Sequence, residues 1–332
     1  MDNNLLQIVN DNFGIKADNI KLISNHSGSI AYLIVSKCGK YVLKKTGHNG
    51  HRESGGLLTE YLCNNGIRVA KLFRTVNDEF AFCDNHYQYT LQEFIDGEQI
   101  PLNSAPDWFM QKYVKTLGEI QNVLKNYKLA PLAYYGWPRW LLSKTPIVDS
   151  EKAIGEKIDK AKKSSDFTLA AALNERMRHI RRVSAFDIDI DKLSHTNSHG
   201  DYYLNQIIVK EKELVVIDWD SGGHVPACFE VMMAFTYADP ICKSGVIDVT
   251  RFEPFLAKYL NYTALSSYDI RMMPYFTYLY LCFCGFTPPY DNLPTDYLQI
   301  AKLSDNLMNW LHDNVDNFSV ELSAKFEQKR RN

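Results

Sequence analysis

The fold of this chain is decided by the stretch HGDYYLNQIIVKEKELVVIDWD at residues 199–220. Its two apolar runs, QIIV and LVVI, flank a polar turn at residues 210–213, which is the pattern of a β-hairpin. Asp201 lies just before the first predicted strand, and Asp218 lies just after the second. Because an antiparallel hairpin returns the chain to its starting end, the two acidic positions are predicted to come together.

Two carboxylates placed in this way suit phosphoryl transfer. That reaction needs an oriented nucleophile and metal ions that bridge the phosphates, with little covalent help from the protein. One acid from each end of the hairpin can supply these two functions, provided that a neutral oxygen ligand completes the magnesium shell. Two amides, Asn205 and Gln206, stand between the acids.

The motif pair resembles the aminoglycoside phosphotransferase and choline kinase-like family, a branch of the protein-kinase fold. In that family the first Asp positions or deprotonates the acceptor hydroxyl, an amide five residues later binds metal, and the Asp after the next strand also binds metal. The resemblance therefore assigns catalysis to Asp201 and Mg²⁺ binding to Gln206 and Asp218. Because the family usually has Asn at the position of Gln206, Asn205 is the alternative metal ligand.

The rest of the pattern agrees with an α+β fold of two lobes. Short β-rich runs occupy residues 31–35, 41–43 and 89–95, with a helical stretch near 53–65. Beyond residue 96 the periodicity is helical, and helices are predicted from Ser104, over 166–183, and after Pro226 and Phe252. The resemblance implies a protein-kinase-like fold. Its small antiparallel β-rich nucleotide-binding lobe spans 1–95, and its larger, mainly helical catalytic and acceptor-binding lobe spans 96–332.

The resemblance also implies a lysine that binds phosphate, paired with a glutamate from a helix. Tyr41-Val-Leu-Lys44 is similar to the family's lysine strand, and alternation along it would point Lys44 inward and Lys45 to solvent. For the partner, counting back from Gly66 leads to Gly55. Glu53 lies nearer that position than Glu60 does and is the favoured partner.

Two backbone segments would complete the implied nucleotide site. The turn at residues 25–29 would cover the phosphates with the amides of Ser27, Gly28 and Ser29, although an ordinary hairpin turn fits the same residues. The segment LQEFIDG at 91–97 looks like the linker between the lobes. Backbone groups from Glu93 to Ile95 would bind an adenine edge there, without a choice between ATP and GTP.

Three further polar residues lie near these motifs. Glu230 stands where the family commonly has Asp, and it is expected to orient a helix. Asp220 is either a second acid of the metal site or a solvent-facing residue. Gln121 occupies a position where relatives often carry His, and no chemistry is assigned to it.

Composition narrows the partners and the location. Basic and acidic residues number 37 and 39, so overall charge favours neither nucleic acid nor an anionic membrane as a partner. The first residues carry no secretory signal, and we expect a cytoplasmic protein.

The most apolar stretch, residues 272–286, is too short to span a bilayer and is expected to be a core helix. The charged C-terminal residues, KFEQKRRN, are expected to form a solvated tail.

These expectations combine into one function and one alternative. The chain is expected to move the γ-phosphate of ATP or GTP, with Mg²⁺, to a hydroxyl of a small molecule such as an aminoglycoside-, choline- or sugar-like acceptor. Fold does not choose the acceptor. The alternative is a catalytically weak or inactive kinase-like structural or binding protein, such as a spore-coat component, which Gln206 and the sparse glycines near residue 28 favour.

Overall fold

The computed structural model describes residues 2–26, 28–47, 52–129, 132 and 137–331. The chain divides into two compact units. The first comprises residues 1–99, 123–133 and 206–223, and the second comprises residues 100–122, 134–205 and 224–332. The predicted lobe boundary between residues 95 and 96 stays a prediction.

An antiparallel sheet forms the centre of the first unit. Its strands are β1 (Ala17–His26), β2 (Ser29–Ser36), β3 (Gly39–Gly47), β4 (Leu72–Phe73), β5 (Phe82–Cys83) and β6 (Tyr87–Glu93). They lie in the order β1-β2-β3-β6-β4, and β5 pairs with β6 as well. A helix that we label α2 (Arg52–Asn64) follows β3. The predicted strands and the helix near residues 53–65 are thereby confirmed.

A helix at the start of the chain, α1 (Asp2–Phe13), is absent from the sequence-based expectations. Its apolar residues recur at helical spacing and pack against the sheet, so that both share one core. That core contains Leu5, Ile8, Val9, Phe13, Ile34, Leu43, Tyr89 and Leu91. The first unit therefore has a helix covering part of its sheet and is not a bare sheet.

Four further strands lie past mid-chain: β7 (His195–Ser198), β8 (Ile207–Lys210), β9 (Glu213–Val216) and β10 (Gly223–Pro226). Strands β8 and β9 form the predicted hairpin, in which Ile207 pairs with Val216. The hairpin belongs to the first unit, where the N–H of Ala70 donates to the carbonyl of Val216 at 3.1 Å. Gly97 packs so closely against β8 that an added Cβ would lie 2.4 Å from the carbonyl oxygen of Val209.

Helices make up most of the second unit. They are α3 (Asp107–Leu124), α4 (Trp137–Leu141), α5 (Thr145–Lys163), α6 (Phe167–Val183), α7 (Ala227–Ala238), α8 (Val249–Tyr259), α9 (Ser267–Cys284) and α10 (Thr295–Arg331). The predicted helix at 166–183 is confirmed as α6, and Asp166 caps it by accepting the N–H of Leu169 at 3.0 Å. The α+β class is confirmed as well.

Helix α3 begins later than predicted, and the C-terminal residues lie on a helix up to Arg331. Helix α3 begins at Asp107 because the carbonyl of Pro106 accepts the N–H of Met110, while the hydroxyl of Ser104 bonds to the carbonyl of Leu102. Helix α10 continues to Arg331, so the predicted charged tail is helical. Among the helices of the described ranges, none combines the length and the apolar character that a membrane crossing requires.

Candidate active site

Lys44 lies on β3, in the middle of the sheet of the first unit. It pairs with Ala31 on β2 and with Thr90 on β6. Its side chain is 15% exposed. The next residue, Lys45, points to the opposite face of the strand, where its ammonium lies 3.7 Å from the ring centroid of Tyr87. Alternation along β3 therefore sends Lys44 inward, as the sequence predicts, while Lys45 covers an aromatic ring.

Lys44 holds two carboxylates at once. Its Nζ donates to Oδ1 of Asp218 at 2.5 Å and to Oδ2 of Asp220 at 2.8 Å. Burial alone would lower the pKa of Lys44, but the charges of Asp218 and Asp220 together outweigh burial, so that this pKa is raised. The ammonium thus stays charged and keeps the two acids within a few ångströms of each other.

The hairpin explains how Asp218 reaches this position. The N–H of Ile217 donates to the carbonyl of Gln206 at 2.9 Å, one step beyond the β8–β9 ladder. Gln206, which is 8% exposed, and Asp218 therefore lie at the same open end of the hairpin. Asp218 itself has a left-handed backbone, with φ of 60°, which turns the chain sharply after the strand.

The donor set at this end fits a magnesium ion. Asp218 and Asp220 offer carboxylate oxygens, and Gln206 carries a neutral amide oxygen, which are the hard ligands that Mg²⁺ prefers. Within the described ranges, no group of three or more His, Cys, Asp and Glu side chains is placed to hold a metal ion.

A small cavity opens beside the ion cluster in the first unit. The cavity is lined by residues of the sheet, of α2 and of the segments before β4 and after β9: Lys44, Gly55, Ala70, Leu72, Thr90, Gln92, Asp218, Trp219 and Asp220. Its lining combines apolar side chains with the charged groups of Lys44, Asp218 and Asp220.

The predicted adenine-binding segment follows directly on from this cavity wall. Glu93 ends β6, its N–H donates to the carbonyl of Lys71 at 2.8 Å, and its carboxylate takes two bonds from Arg68, at 3.0 and 2.7 Å. Ile95 is buried and packs with Ala70 and Val215. The N–H of Glu93 is thus engaged inside the sheet, and adenine binding by this segment stays a prediction.

The predicted phosphate-covering turn joins β1 and β2. Ser27 lies outside the described residues. His26 pairs with Ser29 across the turn, and Gly28 is exposed with φ of +78°, a conformation that glycine adopts readily. Ser29 pairs with Thr46, two positions along from the Lys44 pair. The segment therefore has hairpin form, and its contact with phosphates stays a prediction.

The glutamate partner of Lys44 is not decided by the described side chains. Glu53 belongs to α2, but its side chain lies outside what the structure describes. Glu60 forms an ion pair with Arg74 at 3.0 Å. The described partners of Lys44 are instead Asp218 and Asp220.

Asp201 belongs to the second unit, on a loop that the protein holds firmly. The ring of the following residue, Tyr202, stacks on Tyr113 with centroids 4.6 Å apart. Each of these tyrosines donates its hydroxyl to the backbone carbonyl of the other, at 2.9 and 3.2 Å. The N–H of Tyr203 closes the turn by donating to the carbonyl of Asp201 at 3.1 Å. The predicted approach of Asp201 to Asp218 stays a prediction.

A buried carboxyl supports the same loop from α7. Glu230 is 1% exposed and accepts the N–H of Gly200 at 2.7 Å and the Nε2 of Gln121 at 3.2 Å. Burial raises the pKa of Glu230, although the surrounding hydrogen bonds oppose the shift. Gln121 in turn accepts from Tyr259 at 2.5 Å and from Thr263 at 3.1 Å. Glu230 is thus more than a helix-orienting residue, since it fixes the backbone next to Asp201.

A second cavity, of about 170 Å³, opens at Asp201 within the second unit. Aromatic side chains supply much of its wall. These rings come from separate elements of the unit, so their spacing along the sequence does not show that they converge. The cavity gives the loop of Asp201 a ligand-sized neighbour.

Comparison with known proteins identifies the family. The model of the phosphotransferase enzyme family, APH, matches residues 22–259, which is well over half of the chain. This chain belongs to the APH phosphotransferase family. No curated protein sequence is significantly similar to this APH member.

Solved structures share the fold of this APH protein. Amicoumacin kinase hAmiN, in complex with AMP-PNP, Ca²⁺ and Ami, is 12% identical, covers 95% of this chain and 93% of its own, and has a TM-score of 0.62. The microcompartment-associated aminopropanol kinase is 13% identical, with coverages of 96% and 99% and a TM-score of 0.62. Spectinomycin phosphotransferase APH(9)-Ia, in complex with ADP and spectinomycin, is 14% identical, with coverages of 99% and 99% and a TM-score of 0.53. The predicted kinase-like fold is confirmed.

Two residues, one in each unit, have contacts that sequence patterns did not decide. Asp220 shares Lys44 with Asp218, and Gln121 joins the buried network under the loop of Asp201. The sequence did hint at Asp220, because a second acid two residues after Asp218 can reach the same site. For Gln121 the signal was only an uncharged polar residue on the apolar face of α3, which a buried network explains.

Proposed function

We propose that this APH member transfers the γ-phosphate of ATP or GTP to a hydroxyl of a small molecule, with Mg²⁺ as cofactor. The observation that carries the proposal is the ion cluster of Lys44, Asp218 and Asp220 beside a cavity, in a chain of a phosphotransferase family. The structure of hAmiN contains AMP-PNP, and that of APH(9)-Ia contains ADP. We extend nucleotide binding to this chain as part of the proposal.

In the proposed reaction, the acceptor oxygen forms a bond to the γ-phosphorus while the bond from that phosphorus to the β–γ bridging oxygen breaks. The hydroxyl proton passes to the carboxylate of Asp201, and the nucleoside diphosphate leaves. Asp201 is suited to this task because Tyr202 and Gly200, on either side, are both fixed by hydrogen bonds. A fixed base raises the rate by positioning rather than by reactivity.

The residues of the first unit would hold the donor. Lys44 would exchange its carboxylate partners for phosphate oxygens, and Asp218, Asp220 and Gln206 would hold the metal ion. When bound, Mg²⁺ would supply positive charge that offsets the negative charge of the phosphates. Gln206 keeps the neutral amide oxygen of the family's usual Asn on a stem one methylene longer.

The proposal is tested first by nucleotide binding. ATP or GTP with Mg²⁺, at about 100 times its dissociation constant, should stabilise the folded protein by about 2.7 kcal/mol and raise its melting temperature. A melting temperature that neither nucleotide changes, with or without metal, contradicts the proposal and supports the alternative of a kinase-like binding protein. Gln206 is the residue that favours this alternative, because it departs from the family pattern.

The second test is phosphate transfer to a panel of hydroxylated metabolites and aminoglycosides, followed by nucleoside diphosphate release. Asp201→Asn is the control variant, because it keeps size and removes the proton acceptor. We expect transfer to fall by about 10²–10⁴-fold in Asp201→Asn while nucleotide still stabilises the fold. Unchanged transfer in this variant would refute the role of Asp201.

A further inference from the structure

The cavity at Asp201 is built from aromatic pairs. It lies wholly within the second unit, between the loop at residues 200–203, helix α7, the end of α9 and helix α10. Its rings form three contacts, with centroids 5.7, 4.6 and 5.3 Å apart: Tyr203 with Tyr237, Phe229 with Tyr280, and Phe286 with Tyr297. A ligand in this space would therefore meet ring faces and edges on several sides.

Helical spacing explains why these side chains converge. On α7, Phe229, Met233 and Tyr237 recur every four residues and share one face. On α10, Tyr297 and Ser304 stand two turns apart on the wall. Because these positions belong to packed helices, the cavity is shaped before any ligand arrives.

A buried arginine fixes the remaining wall. Arg176 on α6 is 2% exposed and donates to the carbonyls of Leu281 and Cys282 at 3.0 and 3.4 Å, and to the carbonyl of Phe286. These bonds hold the chain where it leaves α9. The bond from the guanidinium of Arg176 to the carbonyl of Phe286 thereby fixes Phe286 in the cavity wall.

The charge of the cavity is low. Among the described residues that line it, the ionisable acids are Asp201 and Glu230, and there is no Lys, Arg or His. Glu230 is buried and bonded to Gly200 and Gln121. A ligand in the cavity can thus reach the carboxylate of Asp201 but meets no cluster of acids. Several ammonium groups on one ligand would lack partners there.

We propose that this cavity selects the acceptor as a compact alcohol that carries one six-membered ring and at most one ammonium group. The inference rests on the proposed phosphotransferase function, since the hydroxyl at Asp201 is the group that receives phosphate from the nucleoside triphosphate. The ring packs between the aromatic pairs, and an ammonium group gains from their faces. A polycationic aminoglycoside with several rings is excluded as the preferred acceptor.

Size supports the same class. An apolar cavity of about 150 Å³ accommodates a benzene molecule, whereas pockets for drug-sized ligands measure about 300–1,000 Å³. The present cavity, at about 170 Å³, therefore holds one ring with a short side chain. Because Asp201 belongs to the lining, an alcohol in the cavity can present its hydroxyl to that carboxylate.

The test compares two acceptors that differ in one group. In 2-amino-1-phenylethanol a phenyl group replaces the methyl group of 1-amino-2-propanol, and both keep the same hydroxyl and amine. With ATP and Mg²⁺, we expect KM to be about 10–200-fold lower for the phenyl compound. Equal KM values for the pair, or a higher kcat/KM for kanamycin than for the phenyl compound, would overturn the proposal.

Variants of Tyr297 test whether this cavity causes the difference in KM. Tyr297→Leu removes a ring of the Phe286 pair, and Tyr297→Phe keeps it. We expect the KM ratio between the methyl and phenyl compounds to fall about 10-fold in Tyr297→Leu and to persist in Tyr297→Phe. Phe167→Ala, at a ring that is 70% exposed on α6, is the matched control and should keep the ratio. A ratio that is the same in Tyr297→Leu and Tyr297→Phe overturns the assignment to this cavity.

Binding without nucleotide separates this inference from the function on which it rests. Saturation-transfer NMR of the two alcohols with the unliganded protein reports the cavity alone. Binding of the phenyl compound that Tyr297→Leu weakens, without any phosphate transfer, supports the cavity and refutes the proposed function. Transfer to other acceptors, with no binding of the phenyl compound, refutes the cavity inference and supports the function.

Discussion

Gln121→Leu tests whether the buried polar network holds the protein together. Gln121 has no exposed surface, and it uses both ends of its amide. The Nε2 donates to Ser198 at 3.0 Å and to Glu230 at 3.2 Å, and the oxygen accepts from Tyr259 and Thr263. Leucine has a similar size, so the change removes hydrogen bonds without opening a large cavity.

The magnitude follows from the groups that lose a partner. The hydroxyls of Tyr259 and Thr263 lose this acceptor, and a buried unsatisfied polar group costs about 1–3 kcal/mol. Tyr259 retains a longer bond, at 3.4 Å, to the carbonyl of Ala227, which reduces its loss. Glu230 and Ser198 each lose one donor, but Glu230 keeps the N–H of Gly200. We therefore expect the free energy of unfolding to fall by about 2–4 kcal/mol.

The assay is urea unfolding. The midpoint of the transition and its slope are measured for the parent protein and for Gln121→Leu. Gln111→Leu is the matched control, because Gln111 lies on the same helix, α3, but is exposed, and its substitution should change stability by less than about 0.5 kcal/mol. Equal midpoints for Gln121→Leu and the parent protein would refute the argument. So would an equal loss in Gln111→Leu, since helix propensity would then explain both.

Three further outcomes are expected. Lys44→Met should remove most nucleotide-dependent thermal stabilisation, while Lys45→Met, its neighbour on the opposite face, should retain it; equal losses would contradict the site. Gly97→Ala should lower the free energy of unfolding by about 1–3 kcal/mol because its Cβ meets backbone, whereas Gly155→Ala, in open space, should be neutral or stabilising in the same urea assay. Burial lowers the pKa of His179 to about 4, so its contribution to stability is present above pH 6.5 and lost as pH falls toward 4. His179→Gln should flatten that slope in urea titrations at stepped pH, and an unchanged slope would contradict it.

Local patterns were sufficient where one short segment determines the outcome. The hairpin of β8 and β9 follows from two apolar runs around a polar turn, and the inward direction of Lys44 follows from alternation on β3. Helix α6 follows from its periodicity and from Asp166 at its start. In each of these, the deciding contacts lie within a few residues along the chain or one strand away.

Long-range contacts were beyond sequence patterns. Asp220 bonds to Lys44, which is 176 positions away in the sequence, and Gln121 bonds to Glu230, which is 109 positions away. Nothing in the local sequence distinguishes such residues from solvated ones, because burial is created by the fold. Helix starts show the same limit. A helix was predicted from Ser104, but α3 begins at Asp107, whereas Ser266 and Asp269 cap α9 by bonding each other's backbone N–H groups.

Lys44 occupies the place that a cation would otherwise fill between Asp218 and Asp220. The two carboxylates are therefore already compensated by a tethered ammonium, with which a free divalent ion would have to compete. Under the proposed function, a nucleotide would remove this competition, because its phosphates would offer the ammonium another partner. The consequence would be an order of binding, in which metal and nucleotide enter as one complex.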